Sequence, residues 1–258
     1  MAFWALGGTV GYYSNRGLRP VETTLLERYR AALGGRVLEL GCGAGRVTSH
    51  LCKGSDAVFA LDIARQMVVE CQRVCPEARV FEGDLRDLSR FGSGSLDAVF
   101  GTFNVLDMLG DGERGRVLDQ IRRILRPDGL LIVSSHNRGY AARLGTPFRL
   151  LVGDPRQPLR SLARLPMRLG NRRRMRWLER SETDYAILND AAHDFAVVHY
   201  YISRDSQERQ LGGHGFELVQ CLDLEGRVVP CGAMAADCPE LSYVARRVGP
   251  ATLDVVVH

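Results

Sequence analysis

The chain has 258 residues, of which 45% are hydrophobic and 25% charged, and its formal net charge is +4. This length and composition suit one sizeable folded domain and exclude disordered, collagen-like and coiled-coil proteins. No apolar stretch approaches the roughly 18 residues that cross a bilayer, and the first ten residues lack the basic segment of a secretory signal. We therefore expect a cytoplasmic protein with no membrane segment.

The seven cysteines and the uneven charge add two expectations. An odd number of cysteines in a chain of this size indicates reduced thiols, and their spacing does not match a zinc site, so we expect no structural metal. Positive charge concentrates in residues 143–180, which hold eleven arginines against Asp154 and Glu179. This basic segment has three readings: a solvated helical lid, a site for an anionic small substrate, or a surface for RNA.

Predicted strands and helices alternate along residues 20–135, in the order typical of a parallel, doubly wound sheet. The predicted strands are 36–40, 57–61, 78–82, 96–103 and 130–135. The predicted helices are 20–33, 46–53, 64–75 and a segment around 117–125. We expect residues 1–35 to form an N-terminal helical lid on this sheet.

The alternation breaks after His136. Four prolines and irregular apolar spacing predict that residues 139–183 form loops and short helices, unsuited to a sheet. We interpret residues 139–195 as a substrate-binding or lid insertion within the domain. Regular elements then return, with predicted strands at 195–202, 216–222 and 241–248 and a helix at 204–211. We interpret residues 1–258 as one domain.

A glycine-rich turn, GCGAG, lies between the first predicted strand and the following helix. Gly41, Gly43 and Gly45 lack a Cβ, so a ligand can approach this backbone closely at a helix start. A dinucleotide fingerprint needs a third glycine where this chain has Arg46, which argues against a nicotinamide-dependent oxidoreductase. Glu39, two residues before the turn, suits a ligand that carries an ammonium group.

Two further acids follow the next strands. Asp62 ends the second predicted strand, where a carboxylate can accept hydrogen bonds from ribose hydroxyls. Asp84 follows the third strand, within reach of an adenine amino group. Together with Glu39 they place three carboxylates at the tips of three successive strands.

Five segments in order resemble the motifs of class I S-adenosylmethionine-dependent methyltransferases. They are VLELGCGAG (37–45), ALD (60–62), GDLRDL (83–88), LDAVFGTFNVLDML (96–109) and ILRPDGLLIVSS (124–135). The resemblance covers about residues 36–135, and residues 204–222 look like the closing helix and hairpin of the family. It implies a Rossmann-like α/β fold with a mostly parallel seven-stranded sheet, whose last strand is antiparallel.

The resemblance also implies roles for residues at the strand tips, with S-adenosylmethionine as the cofactor. Glu39 and the turn from Gly41 to Gly45, which includes Cys42, would border its methionine part. Asp62, with Ile63 beside it, would bind the ribose, and Asp84 with Leu85 would frame the adenine. Phe103 and Asn104 would face the sulfonium and the acceptor. Tyr12 and Tyr13 resemble the aromatic residues that many small-molecule members place over the cofactor.

The acceptor is not identified by any motif. Methyl transfer needs alignment of donor and acceptor and, for a protonated nucleophile, a base. His136 at the end of the fifth strand is the best-placed base, and His199 is the second candidate. We expect methyl transfer to an oxygen or nitrogen of a small molecule, and not to nucleic acid. The alternatives are an RNA methyltransferase that uses the basic segment and an inactive cofactor-binding regulator.

Overall fold

The computed structural model describes residues 17–141 and 158–249, and within them a central sheet with helices on both faces. Seven strands have the predicted arrangement: β1 Arg36–Leu40, β2 Ala57–Asp62, β3 Arg79–Glu82, β4 Leu96–Gly101, β5 Leu125–Asn137, β9 Phe216–Leu222 and β10 Glu240–Arg247. Their order across the sheet is β3-β2-β1-β4-β5-β10-β9. Only β10 among these seven runs antiparallel to its neighbours, which confirms the predicted α/β fold.

Among the described residues the sheet nevertheless contains ten strands and not seven, because the insertion contributes two and the segment that follows it contributes a third. They are β6 Arg180–Ser181, β7 Tyr185–Leu188 and β8 His199–Ile202. The pairing of β5 with β4 ends at Gly101, the last residue of β4, but β5 continues. The final residues of β5, His136 and Asn137, pair in parallel with β8. The prediction that residues 139–183 are unsuited to a sheet is wrong at β6, whereas the strand predicted at 195–202 is confirmed as β8. β6 and β7 are two and four residues long, too short to show the alternation that identifies a strand in sequence.

The helices on the sheet are α1 Pro20–Arg28, α2 Arg30–Leu33, α3 Thr48–Leu51, α4 Arg65–Val74, α5 Asp111–Ile124 and α8 Arg204–Gly213. Two predictions were too long. The helix expected at 20–33 is interrupted at Tyr29, and only four residues after the glycine turn are helical where eight were expected.

In the described part of the insertion and at its start lie α6 Arg138–Ala141 and α7 Pro158–Met175. α7 has 18 residues, which corrects the expectation that this segment holds only short helices. Pro166 lies inside α7 and does not end it. Single 3-10 turns occur at 105–108, 176–178 and 192–195. Among the described residues, no helix is both long enough and apolar enough to cross a membrane.

Alternating side chains of the strands form two hydrophobic cores, one on each face of the sheet. On β1, Leu38 packs in the core beneath α5, while Val37 packs on the opposite face with α1 and α3. On β5, Leu131 packs in the same core as Leu38, and Ile132 packs in the same core as Val37. Both faces of the central strands are thus buried, which is characteristic of a doubly wound sheet. The carboxyl ends of β1, β2, β4 and β5 consequently lie along one edge.

Candidate functional site

The turn after β1 presents backbone to open space. Gly41, Gly43 and Gly45 all have positive φ values, between 54° and 88°, which favours glycine at each position. A Cβ built on Gly43 would meet no atom within 4 Å. One on Gly45 would lie 3.1 Å from the Cys75 sulfur, so that glycine is also required for packing. Cys42, between them, is buried.

Glu39 is a buried carboxyl group beneath this turn, 5% exposed. Its Oε2 accepts a hydrogen bond of 2.6 Å from the Thr48 hydroxyl. Burial raises the pKa of Glu39 to about 8, because desolvation outweighs the hydrogen bond from Thr48. The group is therefore ready to bind a cation, whose approach would favour its ionised form.

Asp62 lies at the end of β2, facing the same turn. Its two carboxylate oxygens accept hydrogen bonds of 2.8 Å from the backbone N–H groups of Gly43 and Ala64. Burial raises the pKa of Asp62 despite these hydrogen bonds. Ile63, the next residue, is 52% exposed, which is unusual for isoleucine and leaves an apolar surface beside the carboxylate.

Asp84 follows β3 and is held by Arg86. The guanidinium of Arg86 lies 2.6 Å from Asp84 Oδ2, and this hydrogen-bonded pair lowers the pKa of Asp84. Arg86 also bonds Glu113 of α5 at 2.9 Å. Leu85 packs against the core beside Asp84.

The chain leaves β4 through two residues in the left-handed region. Phe103 and Asn104 have φ values of 64° and 58°, a conformation that is costly for residues other than glycine and that concentrates at functional sites. Phe103 is 36% exposed, whereas Asn104 is buried and exchanges two hydrogen bonds with Ser134. The strand predicted to reach residue 103 therefore ends at Gly101.

A cluster of charged residues that sequence reasoning missed lies beside Phe103. Glu22 of α1 is fully buried and accepts hydrogen bonds from Arg46 and from the Thr102 hydroxyl. The guanidiniums of Arg19 and Arg46 lie 4.4 Å and 5.4 Å from the centre of the Phe103 ring. These contacts attach α1 to the carboxyl edge of the sheet.

His136 at the end of β5 is paired with a buried carboxylate, Asp107. Its Nδ1 lies 2.7 Å from Asp107 Oδ2, and its backbone N–H donates to the same oxygen at 2.6 Å. Because Asp107 also accepts from Arg114 and Ser135, it acts as an ionised acceptor, and Nδ1 carries the hydrogen. Nε2 is then the basic nitrogen, 3.4 Å from the Asn104 side-chain amide.

Arg114 of α5 supports this pair from within the protein. It is fully buried, and its guanidinium donates to Asp107 at 2.7 Å. Its remaining hydrogen bonds go to Ser135, Gln207 and Gln210, at 2.6 to 2.9 Å. The sequence offered little sign of this role, because Arg114 falls on a helix that shows ordinary amphipathic spacing.

His199, the second candidate base, lies on β8 beside His136. The two rings are 4.8 Å apart, and His199 Nδ1 lies 3.0 Å from Asp190. Asp190 also accepts a hydrogen bond of 2.5 Å from the Tyr201 hydroxyl, and its pKa is lowered to about 2 because the hydrogen bonds and charge of its partners outweigh burial. His199 is 4% exposed, which leaves His136 as the more accessible of the two imidazoles.

His136, Asp190 and His199 are also the buried group, among the described residues, that best resembles a metal-binding set. One potential ligand atom from each lies within 4.8 Å of the others. In the structure both imidazoles are hydrogen-bonded to carboxylates, as described above. Tyr12 and Tyr13 lie outside the described residues.

Comparisons with known proteins agree with this architecture. Residues 37–129 match the profile of a family described as a methyltransferase domain. The ubiquinone biosynthesis O-methyltransferase of Xanthomonas oryzae pv. oryzae is 30% identical over 130 residues, which cover 48% of this chain and 53% of that protein. An uncharacterized methyltransferase of Mycobacterium bovis is 26% identical over 63% of this chain and 64% of its own length. The chain thus spans about half to two thirds of these relatives.

Solved structures resemble nearly the whole chain in fold. A S-adenosylmethionine-dependent methyltransferase from Clostridium acetobutylicum has a TM-score of 0.61 at 11% identity, with 92% of this chain and 95% of that chain covered. The 1,6-didemethyltoxoflavin-N1-methyltransferase of Burkholderia thailandensis, solved with S-adenosylhomocysteine, has a TM-score of 0.59 at 18% identity, with 95% and 84% covered. With the strand order, these matches show that the chain has the fold of S-adenosylmethionine-dependent methyltransferases, and that residues 37–129 match a methyltransferase domain.

Proposed function

We propose that this protein transfers the methyl group of S-adenosylmethionine to an oxygen or nitrogen of a small molecule, with His136 as the general base. The observation that carries the proposal is the Asp107–His136 pair. It lies at the carboxyl end of β5, where Asn104 also contacts it, at the edge of the sheet that also holds the glycine turn. Ligands of open α/β sheets bind along this edge.

The residues at the edge fit the cofactor. The open space before Gly43 admits a ligand against the backbone, and Ile63 offers an exposed apolar surface of the kind that an adenine covers. Glu39 would hold the ammonium group, and Asp62 would accept from the ribose hydroxyls. Asp84 would frame the adenine. When bound, S-adenosylmethionine supplies a methyl group on a sulfonium, which is already activated for displacement.

The protein's own contribution is alignment and proton transfer. His136 Nε2 accepts the proton of the acceptor hydroxyl or amine, while Asp107 keeps the hydrogen on Nδ1 and stabilises the imidazolium that forms. Arg114 holds Asp107 in place. β8 covers the end of β5 and helps to exclude water from the reacting groups.

Relatives with named substrates support a small-molecule acceptor. The names of the Xanthomonas and Burkholderia proteins specify an O-methyltransferase of ubiquinone biosynthesis and an N1-methyltransferase of a toxoflavin precursor. RNA methylation is the second candidate, because of the basic segment. The Asp107–His136–Arg114 arrangement argues against a regulator that has lost catalysis, because a protein that only binds the cofactor needs no oriented imidazole.

The test measures formation of S-adenosylhomocysteine with panels of small phenols, alcohols and amines, and with RNA. We expect turnover with members of the small-molecule panel and none with RNA. Methylation of RNA alone would favour the second candidate. Cofactor binding without turnover on any acceptor would favour a regulator.

The role of His136 is tested with a matched pair of variants. His136→Ala should lower kcat by about 10² to 10⁴, the usual contribution of a general base, with cofactor affinity unchanged. His214→Ala is the control, because the His214 side chain is hydrogen-bonded to Asp119 and not to any residue of the Asp107–His136 pair. The assays are repeated with EDTA, since His136, Asp190 and His199 resemble a metal site. Activity that disappears with EDTA would contradict the base mechanism.

A further inference from the structure

A cleft of about 500 Å³ lies between the start of α5 and the β6–β7 hairpin of the insertion. This volume is in the range of small-molecule sites. Two of its lining residues, Asp107 and His199, are buried and contact His136, the proposed base. Two others, Arg116 and Arg180, are exposed. The cleft therefore runs from solvent to the neighbourhood of the proposed base.

The acidic groups of the cleft are already engaged. Asp111 accepts a hydrogen bond of 2.6 Å from the Tyr200 hydroxyl, and Glu113 is paired with Arg86 at 2.9 Å. Arg116 adds only a smaller electrostatic contribution at Glu113.

The two basic groups of the cleft are different. Within residues 17–141 and 158–249, the side chains of Arg116 and Arg180 form no hydrogen bond or ion pair with another residue. They belong to different elements, α5 and β6, which border the cleft on two sides. Asp111, whose hydrogen-bond partners are uncharged, offsets part of this charge, but the two guanidiniums exceed it in number. Guanidiniums bind carboxylates and phosphates well.

The same cleft has an aromatic wall. Tyr185 and Tyr200 stack with ring centres 4.8 Å apart and planes inclined by 13°. Met108 and Ile187 add apolar surface. An aromatic and aliphatic wall of this kind favours a flat, apolar ligand body over a strongly hydrated one.

We propose that this cleft binds the methyl acceptor through an anionic group, a carboxylate or a phosphate, which Arg116 and Arg180 hold at its exposed end. The flat body of the acceptor lies against Tyr185, which is stacked on the buried Tyr200, and its nucleophile is directed toward His136. This assignment rests on the proposed methyl transfer, and it names the class of acceptor: small aromatic acids or phosphate esters with a hydroxyl or amino group.

The experiment uses binding without turnover, so that its failure and the failure of the proposed catalysis can be distinguished. Isothermal titration in the presence of S-adenosylhomocysteine compares a set of hydroxybenzoates with their uncharged amides, and hydroxyphenyl phosphates with the parent phenols. Inorganic phosphate alone tests for general anion binding. We expect the charged member of at least one pair to bind at least tenfold more tightly than its neutral partner.

The variants Arg116→Gln and Arg180→Gln, separately and together, test the assignment. The double variant should weaken the charged probe about tenfold, equivalent to about 1.4 kcal/mol, and leave its neutral partner unchanged. Arg30→Gln is the control, because Arg30 is an exposed arginine on α2, outside the cleft. Both cleft arginines are exposed, so the variants should melt like the wild type.

Three results would overturn the proposal. The first is that no charged probe binds better than its neutral partner. The second is that the double variant binds the charged probe as well as the Arg30 control does. The third is that single-stranded RNA displaces the charged probe and loses affinity in the double variant, which would assign the two arginines to RNA. If binding follows the expectation while His136→Ala retains full turnover, the anion site stands and the base assignment fails.

Discussion

Glu39 is a carboxylic acid whose surroundings disfavour its charge. Burial raises its pKa from the ordinary value of 4.5 to about 8, so the folded protein keeps this proton at neutral pH, whereas the unfolded chain releases it. This group therefore contributes stability that is complete below pH 4.5 and is lost as the pH rises toward 8. A ligand ammonium beside Glu39 would reverse the preference, because it stabilises the carboxylate.

We predict that cofactor binding at pH 7 releases a proton from Glu39. Titration calorimetry in two buffers with different ionisation enthalpies should show this release, and the cofactor affinity should increase from pH 6 to pH 8. Glu39→Gln keeps an acceptor for the Thr48 hydroxyl and has no proton to lose, so it should remove both effects. Equal proton release by the variant and the wild type would assign the titration to another group.

His136 titrates in the opposite electrostatic setting. Burial lowers its pKa, but the hydrogen bond and charge of Asp107 outweigh burial, and the net pKa lies above the ordinary 6.5. Since a base must be neutral to accept a proton, kcat/KM should rise with pH through an apparent pKa above 6.5. Asp107→Asn should move this limb to lower pH and reduce the plateau, because the amide no longer fixes the Nδ1–H tautomer.

A pH profile of kcat/KM for the wild type and Asp107→Asn tests this role, with cofactor affinity measured alongside as the control. A purely structural role for Asp107 would reduce the amount of folded protein and leave the limb where it is. That outcome would remove Asp107 from the positioning of the base.

At the level of elements, the motif-bearing half of the chain was predictable because its signals are local. The strand at 36–40, the turn with its three glycines and the acid at Asp62 follow from apolar runs and from backbone constraints that only glycine meets easily. Asp107 and Arg114 could not be predicted in the same way. Their roles depend on burial and on each other, and they lie on a 3-10 turn and a helix with ordinary sequence patterns.

The insertion was predicted less well for a related physical reason. A strand was predicted at β8, but its pairing with the end of β5 is a tertiary contact between distant segments, and the four-residue β7 joins the sheet only by pairing with β8. Because β5 extends further than β4 at its carboxyl end, it leaves a free edge with which β8 pairs. No propensity within residues 139–202 indicates that this edge exists.

α5 is anchored to the site through Arg114. We predict that Arg114→Met destabilises the protein by about 3 to 5 kcal/mol, because it leaves the Asp107 carboxylate buried without its guanidinium partner. Urea unfolding measures this loss. In the double variant Arg114→Met with Asp107→Asn, part of the loss should be recovered, since no uncompensated charge remains. A single variant within 1 kcal/mol of the wild type would contradict the prediction.

Across the whole molecule, polar contacts link the glycine turn to the far end of the site. Glu22 joins Arg46 to α1, Arg19 of the same region pairs with Glu240 at the start of β10, and Glu240 accepts from Asn104. Asn104 in turn contacts His136 and thereby the Asp107 pair. Contacts from α1, β4, β5 and β10 thus fix the relative positions of the turn that would hold the cofactor and the imidazole that would act on the acceptor.

The residues of the insertion that the structure describes take no part in these contacts, which leads to a prediction for the whole molecule. Replacement of residues 139–183 by a short Gly-Ser linker should leave S-adenosylmethionine affinity within about tenfold, or 1.4 kcal/mol, and abolish methyl transfer to the natural acceptor. The two ends lie within the reach of one arginine side chain, because the Arg138 guanidinium donates to the Thr183 carbonyl at 2.8 Å. β7, β8 and the Asp190–His199 pair remain, while Arg180 and one wall of the cleft are lost. Cofactor titration, a turnover assay and a cooperative melt together test this expectation.

A shortened protein with full turnover would place the acceptor determinants in residues 1–35 and 193–202, and one that no longer binds the cofactor would show that the insertion supports the glycine turn after all.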